Sequence, residues 1–137
     1  MKLFDYIISK GTNVIRIDGM FPIFLVERNQ EDLIQIKSFQ MPQGWGNGYV
    51  GIPSWHPYYK MDYNEIPIDC HGQLTFSKLD DDENLWVVGF DTNHSGDNKI
   101  NCSKKFVKQN CLHIIDQCMQ VKEAQRIIKL DKINKIL

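Results

Sequence analysis

The chain runs Ile68-Asp69-Cys70-His71-Gly72-Gln73-Leu74-Thr75-Phe76-Ser77, then Lys78-Leu79-Asp80-Asp81-Asp82-Glu83-Asn84, then Leu85-Trp86-Val87-Val88-Gly89-Phe90. Apolar and polar residues alternate from Ile68 to Ser77, and Leu85 to Phe90 is an apolar run. A polar, acidic segment separates the two, which is the pattern of a β-hairpin. The acidic run Asp80–Glu83 reads as a solvated tip, with nothing nearby to order its carboxylates. A strand repeats every two residues, so Asp69, His71, Gln73 and Thr75 are expected on one face and Cys70, Leu74 and Phe76 on the other. Symmetric pairing about the tip sets His71 opposite Asp91, and Gln73 opposite Gly89, where a missing side chain leaves space.

Toward the N-terminus, Asn13 to Asp18 alternates and reads as a strand after the Lys10-Gly11-Thr12 turn. Phe21 to Glu27 is a second short apolar run, with Pro22 confined to its start. Glu31 to Phe39 fits a helix turn or a strand equally. From Met41 to Pro67, glycines at 44, 46, 48 and 51 alternate with Trp45, Tyr49 and Trp55 among four prolines. So many breakers predict a long, partly aromatic loop with a short strand at Tyr49–Ile52.

Toward the C-terminus, Val107, Cys111, Ile114, Cys118 and Val121 recur at steps of four and three and predict one apolar helix stripe. Ser103 suits the N-cap, and His113 falls on the opposite, solvated face. Lys122 to Leu137 predicts a second helical piece that packs on the domain or on a twin subunit of a homo-oligomer. The fold class is therefore α+β: a small single domain over 1–137, with an antiparallel sheet (central hairpin about 68–91) packed by a C-terminal helix.

The chain has 137 residues, 42% of them hydrophobic and 24% charged, which suffices for a core and argues against general disorder. A net charge of −1 lacks the basic excess that gripping a nucleic-acid backbone requires, so nucleic acid is not an expected partner. No apolar run reaches the roughly 18 residues of a membrane span, so no membrane partner is expected. The first residues carry Asp5 within their apolar stretch and do not read as a signal peptide. Cys70, Cys102, Cys111 and Cys118 form no C-x-x-C pair and suit reduced thiols, so a cytoplasmic location is expected.

Polar groups gather in the middle of the chain. His71 with Asp91, followed by His94 and Asp97, places two imidazoles and two carboxylates near one end of the hairpin. Histidine titrates nearest neutrality, and a carboxylate partner fixes its tautomer. Two histidines across a pocket can act as general base and general acid on a phosphodiester. His71–Asp91 taken alone also reads as a cross-strand pair worth about 0.2–1 kcal/mol. All four groups together favour function, because grouped ionisable side chains are costly to bury without a ligand. The expected catalytic residues are His71, His94 and Asp91, with Asp69, Gln73, Thr75 and Asp97 as ligand contacts.

Trp55-His56-Pro57-Tyr58-Tyr59 is a second cluster. Trp55, His56, Tyr58 and Tyr59 either stack on a flat ligand such as a nucleobase, or pin the glycine-rich loop to the domain. No phosphate-binding glycine loop, dinucleotide fingerprint or nucleophile elbow is present, and no cofactor is expected. His56, His71, His94, Asp91 and Asp97 include donors for zinc or manganese, but their spacing matches no compact metal motif.

Gly48-Tyr49-Val50-Gly51, His56-Pro57-Tyr58-Tyr59, His71-Gly72-Gln73-Leu74-Thr75 and Gly89-Phe90-Asp91-Thr92-Asn93-His94-Ser95-Gly96-Asp97 together resemble a group of small proteins encoded by phages and prophages. The group's pattern runs GYVGVP, HP(L/Y)Y, HGGLT, GFDxxHxGD, and the resemblance covers the middle third of the chain. Gln73 stands where the pattern has a second glycine. The resemblance implies a counter-defence setting, in which small phage proteins bind or cleave nucleotide immune signals. The expected function is capture, with or without hydrolysis, of a cyclic dinucleotide or ADP-ribose-like signal. A metal-dependent hydrolase on the same residues and a non-enzymatic inhibitor docking on a host protein stand as the alternatives.

Overall fold

The computed structural model describes residues 3, 5, 7, 11–28 and 43–136. Five strands form one antiparallel sheet in the order β1-β2-β3-β5-β4, with β1 Gly11–Ile17, β2 Ile23–Arg28, β3 Gly46–Pro53, β4 Phe76–Asp80 and β5 Leu85–Phe90. Two helices follow, α1 Lys104–Met119 and α2 Lys122–Ile136. The architecture is the α+β arrangement expected, an antiparallel sheet covered by helix, and the hairpin at the end of the sheet is β4–β5. The segment Glu31 to Phe39 lies outside the described residues.

Alternation along the strands divides the core in two. Ile23, Leu25, Val50, Ile52, Val88 and Phe90 face α1 and pack on Val107, Cys111, Ile114 and Cys118. Phe24, Val26, Tyr49, Leu85 and Val87 face the other way, where buried Leu3 and Ile7 cover them. A strand apolar on both faces is a buried strand, which is why β2 and β5 read as unbroken runs. Val107, Cys111, Ile114 and Cys118 form the α1 stripe their periodicity predicts, whereas Val121 falls past the helix end; Ser103 caps the helix, its side chain accepting from the Phe106 N–H at 3.3 Å. On α2, Ala124 and Ile128 are buried while Leu130, Ile133 and Ile136 are exposed.

Three expectations change. The strand expected at Tyr49–Ile52 is longer, β3 running for eight residues between β2 and β5, while 54–67 is turn and loop as expected. Its glycines are packing residues rather than breakers: a β-carbon on Gly48 would fall 2.7 Å from Cys111 Sγ and from Phe90 Cε1. Glycine lets α1 sit close over the middle of the sheet.

Secondly, 68–75 is not strand. Pairing begins at Phe76, which stands opposite Gly89, so neither Gln73–Gly89 nor His71–Asp91 is a cross-strand pair. The space over Gly89 is taken by the Tyr49 ring. Gly72 and Gln73 both adopt positive φ, 66° and 71°, which no strand accommodates, so Asp69, His71, Gln73 and Thr75 do not share a strand face.

Thirdly, the hairpin tip is solvated at 81–83 as expected, but two of its carboxylates have a setting of their own. Arg16 forms a two-pronged contact with Glu83 at 2.6 and 2.7 Å, and Asp80 is buried. An exposed pair of this kind holds the tip in register more than it stabilises the fold.

Candidate functional site

Two turns of the same design deliver the histidines. In Cys70–Gln73 the Gln73 N–H donates to the Cys70 carbonyl at 3.0 Å; in His94–Asp97 the Asp97 N–H donates to the His94 carbonyl at 3.0 Å. The third residue of each is a glycine at positive φ, Gly72 at 66° and Gly96 at 89°, as a type II turn requires. The first turn is moored to α1: the His71 N–H donates to Asn110 Oδ1 at 2.9 Å, and Asn110 Nδ2 donates to the Phe106 carbonyl at 3.1 Å. Gln117 holds the backbone of Asp69, accepting from its N–H at 2.8 Å and donating to its carbonyl at 2.7 Å. The second turn hangs from buried Thr92, whose hydroxyl donates to the Gly46 carbonyl at 2.7 Å.

Asp97 is the hub. Its carboxylate accepts from His71 Nε2 at 3.0 Å, from His94 Nδ1 at 3.0 Å and from the His94 N–H at 2.9 Å. The two rings meet edge to face, with centroids 5.2 Å apart, and the His71 ring also stands 5.1 Å from Phe106. On its far side His94 Nε2 lies 3.4 Å from Asp91 Oδ1. Asp91 is held in turn by the Asn93 N–H at 3.1 Å and the Thr75 hydroxyl at 3.3 Å. His71 is therefore served by Asp97, and Asp91 serves His94; the pairing expected of His71 with Asp91 does not form.

Burial of Asp97 pushes its carboxyl up, but the bonds from His71 and His94 outweigh that and hold it down at about 2. It is an anion across the physiological range, and only 6% of its side chain is exposed, against 24% for His71 and 35% for His94. The centre thus has a buried negative floor and two imidazoles that reach solvent. Cys102 Sγ lies 3.8 Å from His71 Nε2, and burial together with the Asp97 charge pushes its thiol up, away from nucleophilic thiolate.

The aromatic segment sits elsewhere. His56 is buried at the C-terminal end of α1, where Nε2 donates to the Cys118 carbonyl at 2.8 Å and Nδ1 accepts from the Tyr58 N–H at 3.0 Å. His71 contacts the Phe106 end of the same helix, roughly 18 Å along the axis at about 1.5 Å per residue. Trp55 packs edge-on against Phe21 and lines a groove with Met20 and Ile128. The Tyr59 hydroxyl donates to Asn84 Oδ1. Tyr58 packs against the main core beside His56. Of the residues picked from sequence, His71, His94, Asp91, Asp97 and Thr75 come together. Asp69, just before the first turn, and Gln73, its last residue, are exposed.

Asn110 and Phe106, which seat His71, escaped the sequence reading because nothing in a helical pattern marks which residues meet a distant turn. Gly72 was legible only as a motif member. Comparison with protein families, curated proteins and solved structures finds no match to this chain. Among the described residues no helix is long and apolar enough to cross a membrane.

Proposed function

We propose that the protein is a small nucleotide-handling enzyme of phage counter-defence type, working in the host cytoplasm, whose reaction centre is His71–Asp97–His94. The observation that carries the reading is one buried carboxylate holding two solvent-reaching imidazoles at 3.0 Å. Such a pair can divide proton transfer: one ring takes the proton of an attacking water while the other, protonated, gives one to the leaving oxygen of a phosphodiester. Asp97 orients both rings, and Asp91 steadies His94 from behind. Phe106, packed on His71, supplies aromatic surface at the centre. Support for the counter-defence setting and for a cyclic dinucleotide or ADP-ribose-like substrate comes from the resemblance over 48–97.

The test mixes purified protein with a panel of cyclic dinucleotides and ADP-ribose derivatives and follows them by chromatography, before and after heat denaturation of the protein. Loss of one compound with appearance of a product, abolished in Asp97→Asn and His71→Ala, is expected. A compound that disappears and returns intact on heating makes this a binding protein. A panel left untouched ends the nucleotide reading.

A further inference from the structure

The hydrogen-bond inventory of His94 leads beyond proton transfer. Nδ1 faces Asp97 at 3.0 Å and Nε2 faces Asp91 at 3.4 Å, so both ring nitrogens meet carboxylates. His71 adds Nε2, which is 3.0 Å from each oxygen of the same Asp97 carboxylate. The three donors come from two turns, His71 from the one moored to α1 and His94 and Asp97 from the one after β5. Even so, their ligating atoms all lie within 4.8 Å of one another.

From this convergence we infer that His71 Nε2, His94 Nδ1 and the Asp97 carboxylate bind one divalent transition-metal ion, for which zinc is the probe. Two imidazole nitrogens and one carboxylate oxygen are a donor set that zinc accepts, and three protein ligands leave a coordination position open to water or substrate. Occupied by the ion, Nδ1 of His94 needs no proton, and the ring's single N–H sits on Nε2, facing Asp91. That is the carboxylate–histidine–metal relay that orients metal-bound imidazoles. Its outer carboxylate is already held by Asn93 and Thr75. The partial exposure of both rings above buried Asp97 gives the ion an entry path.

The inference rests on the same centre as the proposed hydrolysis but not on the substrate. The ion would activate water in place of an imidazole base.

The experiment strips the full chain with a chelator and titrates it with zinc chloride by calorimetry, with thermal unfolding in parallel. One zinc per chain and a raised Tm are expected. Asp97→Asn and His71→Ala should lose the site, Asp91→Asn should weaken it by about 10- to 100-fold, and His113→Ala, exposed on α1, should leave it unchanged. Wild-type protein that binds no zinc overturns the inference whatever the variants do, and so does equal binding by folded Asp97→Asn. The nucleotide panel, run on stripped and zinc-loaded protein, separates the two readings. Zinc bound with every nucleotide left untouched ends the nucleotide reading alone, whereas turnover with no zinc bound ends the metal site alone.

Discussion

His94 lies directly over the α-carbon of Gly72: a β-carbon built on that glycine would fall 2.2 Å from Cε1 of the imidazole. The two turns of the centre therefore meet face to face, and the seat of one histidine is the bare backbone beside the other. Gly72→Ala should displace His94 and also strain a φ of 66°, costing about 1–2 kcal/mol. Urea unfolding measures the stability, and the imidazole NMR signals report the ring. An unmoved His94 resonance in the variant would show that the seat is not what holds the ring.

Gln73 follows with a φ of 71° and no glycine to relieve it. Gln73→Gly should stabilise the protein by about 0.5–1 kcal/mol, the left-handed penalty less the added freedom of the unfolded chain. Gln73→Ala serves as the control and should give no such gain. Equal midpoints for the two variants would contradict the backbone argument.

His56 makes stability depend on pH. Burial lowers its pKa below the usual 6.5, opposed by its bond to the Cys118 carbonyl. The unfolded chain therefore binds the proton more readily than the folded one. The contribution of the neutral ring is complete above the unfolded pKa and is lost as pH falls through the folded one. The slope is at most about 1.4 kcal/mol per pH unit for one proton. Thermal unfolding between neutral and mildly acidic pH should show a decline that His56→Gln flattens; parallel curves for the two proteins would remove His56 from the account.

Gly48 tests the contact of α1 with the sheet. Gly48→Ala should cost about 1–3 kcal/mol, since its β-carbon would overlap Cys111 Sγ and Phe90 Cε1 at 2.7 Å. Cys111→Ala removes one of the two obstacles, so the double variant should recover part of that loss in a double-mutant cycle. Strict additivity would mean that the helix yields elsewhere.

Much of the fold is legible in the residues alone because it depends on local period. The stripe Val107, Cys111, Ile114, Cys118 requires one helix face, and Leu85–Phe90 requires a buried strand. β3 was harder: glycine punctuates loops far more often than it packs a helix onto a strand, and only the position of Cys111 shows which applies at Gly48. The segment 68–75 hides its turn from local pattern for a related reason. Its alternation of polar and apolar residues is real, with Ile68, Cys70 and Leu74 all buried. It is produced by a turn bearing on α1 rather than by a pleated strand.

At the candidate site, the residue types were readable and their partners were not. That His71, Asp91, His94 and Asp97 belong together follows from chemistry, because four ionisable groups are not spent on building a core. That Asp97 rather than Asp91 takes His71, and that Trp55 and His56 lie at the other end of α1, depends on register and on which turn meets which helix face. Those are long-range outcomes, decided by packing between segments far apart in the chain. Local pattern specifies the elements and the chemistry they carry, whereas only the closed tertiary structure, with Asn110 and Gly72 as its contact points, determines which imidazole meets which carboxylate.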